Sequence, residues 1–403
     1  MPDRPDNSFS LWLENPFLLL RSDPTHGAIL SLIDKRSGRE LVDRNLGVGL
    51  GQYVYERFDA DDGMRFIKSY CKVLADWVLG DFAKPGLPPA SEVPHRATSP
   101  ENFTLKVRRG LVSDVAEMTA LASEKVPHAV TLRVTLPHCQ PYVEIEWEVS
   151  GKKPDPWPEA GWLAFPLAID NPTFRLGRLG SVVDPAKDIC RSANFEIFCL
   201  NTGLNVLGRD GSGVGLCPID SPLVSLGQPG LYRYSRSFEP RKPVVWVNLF
   251  NNVWGTNFQQ WIGGSWTCRV RLWSVAGKDL ADDLITPAWE ARSPLQAASY
   301  DGPAGSLPPS QSGLELSRRG VLVTAFGPNP EGDGILLRLW EQSGKDGPCR
   351  VLLPPSLRAA RVQPCDLRGQ PTGEPTRPRD GYLEIPLTHF APASMILTTP
   401  DAK

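Results

Sequence analysis

Tyr142-Val143-Glu144-Ile145-Glu146-Trp147-Glu148-Val149 alternates without a break: Val143, Ile145, Trp147 and Val149 point one way, Glu144, Glu146 and Glu148 the other. Successive side chains of an extended strand leave opposite faces, so this stretch reads as a strand with one side in a core and one in water. The same two-residue period returns in Phe103 to Arg109, Ala116 to Ala122 and Ala129 to Leu136. Further strand candidates are Trp162 to Ile169, Phe195 to Leu200, Gly213 to Cys217, Val244 to Phe250 and Trp266 to Val275. Upstream, Phe17 to Arg21 and Ala28 to Ile33 are punctuated by Asp23-Pro24-Thr25-His26-Gly27 and Asp34-Lys35-Arg36-Ser37-Gly38, which are hairpin turn signals. So many strands before residue 280 exceed a simple sandwich of about seven and predict a large antiparallel two-sheet sandwich, a mainly β protein. The 40 Pro and 36 Gly among 403 residues agree, because they interrupt helices too often.

One stretch breaks the pattern. Phe66, Ile67, Tyr70, Val73, Leu74, Trp77 and Val78 recur at three- and four-residue spacings and predict a helix over 61–79, with Asp61 or Asp62 as N-cap and Gly80 as C-cap. Between 291 and 312, Pro294, Gly302, Pro303, Gly305, Pro308 and Pro309 stand amid Ser and Ala, the composition of a linker. The expected organisation is a large sandwich over 1–290, a linker over 291–312, and a smaller β-sandwich over 313–403 built from strands near Val321, Gly334, Cys349, Ala360, Gly381 and Met395.

Composition excludes several function classes. A net charge of −2 gives no positive field to attract a phosphate backbone, so nucleic acid is not an expected partner. No apolar run reaches the ~18 residues of a membrane span, and no membrane partner is expected. Leu11 to Leu20 is interrupted by Glu14, Asn15 and Pro16, unlike a signal peptide. The eight Cys show no C-x-x-C spacing and read as small buried hydrophobes in a reducing compartment, so a cytoplasmic protein is expected. His26, His95, His128, His138 and His389 lack metal-ligand spacing, so no metal is expected in this chain. No G-x-S-x-G elbow, P-loop or dinucleotide fingerprint occurs.

Residues that suit a sugar are concentrated in Val247 to Trp266. Amides both donate and accept toward hydroxyls, and Trp faces cover the C–H faces of a pyranose, which makes Asn251, Asn252, Trp254, Asn257 and Trp261 candidate ligand contacts. Alternatively the Asn and Gly end a strand and the Trp rings plug the sandwich. In Gln52 to Phe58, Tyr53, Tyr55 and Arg57 share a face and can reach hydroxyls, or form a packed edge. Glu144 and Glu146 lie at the roughly 6–7 Å spacing of i and i+2 on one strand, inside the span of glycosidase carboxylate pairs. A solvated Glu ladder is the other reading. Asp220 can orient a hydroxyl or cap a turn.

Ser22 to Lys35, Gly38 to Asp43, Gln52 to Phe58 and Asn251 to Phe258 together resemble the region C-terminal to the catalytic domain in family 38 glycoside hydrolases, the α-mannosidases. The resemblance runs from about residue 15 to 275, and residues 313 to 403 are similar in pattern to the small terminal β-domain of those enzymes. It implies a galactose-mutarotase-like supersandwich. It also implies that the family's zinc ligands and nucleophilic Asp belong to an N-terminal domain that precedes this chain, so that any zinc-type ion sits there. The implied role is a carbohydrate-processing module that supplies scaffold and one wall of a sugar cleft, completed by a catalytic-domain partner chain or a second copy. A stand-alone carbohydrate-binding protein, and an independent glycosidase, epimerase or lyase using the sandwich carboxylates, are the alternatives.

Overall fold

In the computed structural model of the protein, residues 11–303, 305–306 and 308–399 are described. The expected domain ends at 1–10 and 400–403 lie outside them. The chain is mainly β and strands pair antiparallel throughout the described ladders. It divides into two compact units, one running to Leu176 and over Val183–Gly277, the other comprising Gly177–Val182 and the chain from Lys278.

The larger unit is built on two large sheets. In the nine-stranded sheet, Tyr142–Lys152 lies between Ala129–Pro137 and Gly264–Val275, which continues to Gly213–Pro218. In the six-stranded sheet, Glu159–Pro166 lies between Gln52–Arg57 and Val244–Asn251. Val143, Ile145, Trp147 and Val149 from the first sheet and Tyr53, Tyr55, Leu163, Phe165, Val245 and Val247 from the second share one core. A four-stranded sheet near the start adds Leu18, Leu20, Ile29 and Leu32 to it. Every residue of Glu159–Pro166 is buried because a second core lies on the other face of that sheet, where Val54, Trp162, Ala164 and Trp246 pack against Phe66 and Ile67.

Phe66 and Ile67 come from helix α1, Ala60–Tyr70. Its N-cap is Asp59, not Asp61 or Asp62: Asp59 accepts from the Asp62 N–H, and Asp62 accepts in return from the Asp59 N–H, a reciprocal capping box. The helix expected over 61–79 ends at Tyr70, and a separate short helix α2 covers Val78–Phe82, so that Gly80 lies inside a helix and does not cap one. Val73 and Leu74 are 73% and 58% exposed, so burial does not reward continuation of the apolar period between them.

In the smaller unit a three-stranded and a four-stranded sheet enclose Leu337, Leu339, Val351, Ile385 and Leu397. The division falls at Gly277/Lys278, ahead of the 290/291 boundary expected from sequence. The reason is helical: a π-turn at Ala281–Ile285 runs into helix α3, Thr286–Arg292, burying Leu284, Ile285, Ala288 and Ala291, and Trp289 Nε1 donates to Gln342 Oε1 at 2.9 Å within the smaller unit. The described residues of 293–313 are exposed and carry no helix or strand. No helix among the described residues is long and apolar enough to cross a membrane.

Candidate functional site

Strand Gln52–Arg57 sits where both cores meet, so its alternation separates two buried environments. Tyr53 and Tyr55 are each 1% exposed and face the inter-sheet core, which corrects the expectation that they line a cleft. Tyr53 Oη lies 2.8 Å from His128 Nε2 and its ring packs against Trp147. Tyr55 donates to Glu159. Arg57, at the strand end, ion-pairs with Asp155 at 2.6 Å, donates to Tyr55 Oη and stacks over Trp157. These groups are occupied by protein partners because two sheets close over them. Burial lowers the His128 pKa to about 4, which keeps the imidazole neutral.

Glu159 is the hub of this interior network. It accepts from Tyr55 and from Lys152, and both members of the Lys152–Glu159 pair are almost wholly buried. Desolvation raises the Glu159 pKa despite those bonds. Sequence reading missed this pair: a lysine and a glutamate seven residues apart across a turn read as surface charges.

The Asn-rich segment is held from beneath. Asn252 accepts from the Glu159 N–H at 2.8 Å and donates to the carbonyls of Asp155, Trp157 and Gln260. Asn251 donates to Asn248 Oδ1 at 2.8 Å, and Asn248 to the Gly161 and Phe250 carbonyls. These amides brace the backbone, the turn-making alternative raised by the sequence. Beyond them the loop turns outward: Asn257 takes a left-handed conformation, φ 62°, and is exposed, as are Phe258 at 64% and Trp261 at 51%. Trp254 is half-buried, with ring centroids 5.4 Å from Phe82, 6.3 Å from Phe66 and 5.9 Å from Phe258. Phe66 stacks on Tyr70, and the partly exposed Tyr70 meets Phe82, which in turn meets the exposed Trp77. The structure therefore brings Trp254 together with the α1 and α2 aromatics and places it on the opposite face of the six-stranded sheet from Tyr53.

Gly255 is where the loop touches α2. A Cβ there would lie 1.8 Å from the Gly80 carbonyl oxygen and 2.5 Å from that of Ala83, both backbone atoms. Gly255→Ala is expected to push the loop off α2, lower stability by about 1–3 kcal/mol as overpacking does, and shift the Trp254 emission. Thermal unfolding and fluorescence matching the wild type would contradict this contact.

Beneath α1, Glu56 is buried and accepts from Trp162 Nε1 at 2.8 Å. His95 Nε2 lies 3.4 Å from Glu56 Oε1, and His95 Nδ1 lies 2.7 Å from Asp62 Oδ2. Burial pushes the Glu56 pKa up to about 7, while the bond to Asp62 raises that of His95. This cluster ties the helix to the sheet, and nothing in the spacing of Glu56 and His95 along the chain announces it.

The carboxylates considered for catalysis are engaged elsewhere. Glu144 pairs with Arg271 at 3.0 Å, Glu146 and Glu148 with Arg133 at 2.7 and 2.6 Å, and Asp220 is gripped by both Nε and Nη2 of Arg269 at 2.9 Å. Glu146 sits directly across from Arg133, and Glu144 from Arg271, so these are cross-strand pairs on the outer face of the nine-stranded sheet. Among the described residues no three His, Cys, Asp or Glu side chains converge to hold a metal ion.

The structure of an α-mannosidase from Enterococcus faecalis V583 matches 96% of this chain with a TM-score of 0.65 at 13% identity, over 42% of its own length. A glycosyl hydrolase family 38 protein from Enterococcus faecalis matches 96% at a TM-score of 0.63, again at 13% identity, over 44% of its length. The fold is that of the matched part, less than half, of these two structures. A galactose mutarotase related enzyme from Lactobacillus acidophilus overlaps 67% of the chain and 98% of its own length at a TM-score of 0.38 and 11% identity. Residues 10–144 match a domain of unknown function, DUF5054. No curated protein matches the sequence. This chain spans less than half the length of the two family 38 structures, and at 13% identity the likeness concerns the fold alone.

Proposed function

We propose that this chain is a carbohydrate-processing module of the α-mannosidase-like kind, which contributes scaffold and one wall of a saccharide groove while a catalytic domain contributes the bond-breaking groups. The observation that carries the reading is the aromatic surface of α1, α2 and the loop to Trp261. Trp77 at the start of α2 and Phe258 and Trp261 on the loop are exposed, Trp261 next to the Gln260 carbonyl that Asn252 holds, and exposed aromatic side chains of this kind mark interaction sites. Asn257 stands beside Phe258 at the tip as the polar reader of hydroxyls, and Trp254 anchors the group. The ion-paired Glu144, Glu146 and Asp220 favour scaffold over an independent glycosidase, epimerase or lyase. Eight free cysteines fit a reducing compartment and hence the cytoplasm.

The test is a titration of tryptophan fluorescence with methyl α-mannoside, together with an aryl α-mannoside assay. Quenching with a dissociation constant in the ~μM to mM range, as one shallow site gives, is expected, abolished by Trp261→Ala, with turnover only when a separate family 38 catalytic domain is added. Turnover by the chain alone would overturn the division of labour. Binding without any gain on adding that domain would favour a stand-alone sugar-binding protein. No response in either measurement would reject the carbohydrate reading.

A further inference from the structure

The aromatic loop is tied to the interior by a small number of polar contacts, and the one at its C-terminal end is made by the buried Lys152. Its Nζ is held by Glu159, which also binds Tyr55, and donates to the Ile262 carbonyl at 2.8 Å, at the end of the loop. One residue pair earlier, the Gln260 carbonyl accepts from Asn252 at 3.1 Å and from Lys84 at 3.0 Å. Trp261 lies between these two anchored carbonyls. A carbonyl bound by a buried ammonium is held by a charge-assisted hydrogen bond, stronger and more directional than a neutral one. Gly263 adds a steric seat, since a Cβ there would lie 2.9 Å from the Pro154 nitrogen and ring and 3.1 Å from the Lys152 carbonyl oxygen.

We propose that Lys152, itself fixed by the buried Glu159 carboxylate, is a positioning residue that clamps the Trp254 to Trp261 loop onto the sandwich and so sets the orientation of the ring offered to sugar. The pair sits in the core and cannot touch a ligand, so its effect passes through the Ile262 carbonyl. That the loop meets sugar rests on the function proposed above; that Lys152 clamps it does not.

Backbone hydrogen exchange read by mass spectrometry tests the clamp without any sugar. In Lys152→Met the amides of 253–263 are expected to exchange about tenfold faster or more, the loss expected of one hydrogen bond to a charged group, while Tyr142–Val149 exchanges as before at a temperature well below unfolding. The double variant Lys152→Met/Glu159→Gln removes the buried carboxylate that the single variant leaves without its cation and should recover thermal stability, yet leave the loop exchanging fast because the Ile262 carbonyl still lacks its donor. If Lys152→Met alone fails to fold, the double variant carries the test. Methyl α-mannoside affinity should fall about tenfold in the same variants. Loop exchange at the wild-type rate, or exchange restored together with stability in the double variant, would overturn the clamp. A wild type that binds no sugar, together with loop-confined faster exchange in the Lys152 variants, would reject the function while upholding the clamp.

Discussion

Trp147→Ala is expected to destabilise the larger unit by about 3–5 kcal/mol, the range for removing a large aromatic from a core that cannot collapse around the gap. Trp147 has no exposed surface, and its ring meets Tyr53 at 5.1 Å, Trp266 at 6.0 Å and Phe250 at 6.3 Å, so it joins both large sheets at one point. At about 2–4 °C per kcal/mol for a unit of this size, the melting temperature should fall by roughly 6–20 °C. Trp147→Phe separates shape from polarity. The indole N–H is buried without a hydrogen-bond partner, a state that costs about 1–3 kcal/mol. Deleting it should offset part of the lost volume and leave the Phe variant within about 1.5 kcal/mol of wild type. Urea unfolding of both variants checks this, and an Ala variant no less stable than the Phe variant would show that the site does not join the sheets.

That tryptophan was legible from the sequence, because Tyr142 to Val149 has one wet face and the alternation says which side is dry. Gln52 to Arg57 alternates equally well, yet both faces of its sheet are covered, one by the nine-stranded sheet and one by α1 and its neighbours. Period two then groups Tyr53 with Tyr55 and sets Glu56 apart, but cannot tell an open cleft from a second core. The loop followed a similar course. Its composition marked Asn251, Asn252, Trp254, Asn257 and Trp261 as a unit; which amides brace the backbone and which rings stand free depends on Lys152, Glu159 and Lys84, which are distant from most of that segment in the chain. The helix was visible in its apolar spacing to Tyr70, and that spacing carried on past the point where packing supports it. Ala281 to Arg292, by contrast, presents buried small and apolar residues as a short helix, a pattern that a reading tuned to strands assigns to the preceding sandwich.

Glu56 contributes to the pH dependence of stability with a definite sign. Its native pKa of about 7 lies above the ordinary 4.5, so the folded protein holds this proton more tightly than the unfolded chain. The associated stability is complete below pH 4.5 and is lost as pH rises toward 7, by about 3 kcal/mol at about 1.4 kcal/mol per pH unit. His95 acts in the same direction: its bond to Asp62 raises its pKa, so its contribution is present below 6.5 and disappears as pH climbs through the raised value. Asp62 is lowered below 3.8, and its own contribution is lost only in stronger acid, outside this window. His128, lowered to about 4 by burial, works the other way, its contribution growing as pH rises from about 4 to 6.5, while the raised Glu159 adds to the decline, so the effect of Glu56 is read from the difference between the wild type and a Glu56 variant. Glu56→Gln retains an oxygen to accept from Trp162 Nε1 and removes the buried charge. It should match the wild type near pH 5 and exceed it by about 2–3 kcal/mol at pH 8. Urea titrations at half-unit steps of pH decide the matter: a stability difference between the Gln variant and the wild type that stays constant from pH 5 to pH 8 would remove Glu56 as the titrating group beneath α1.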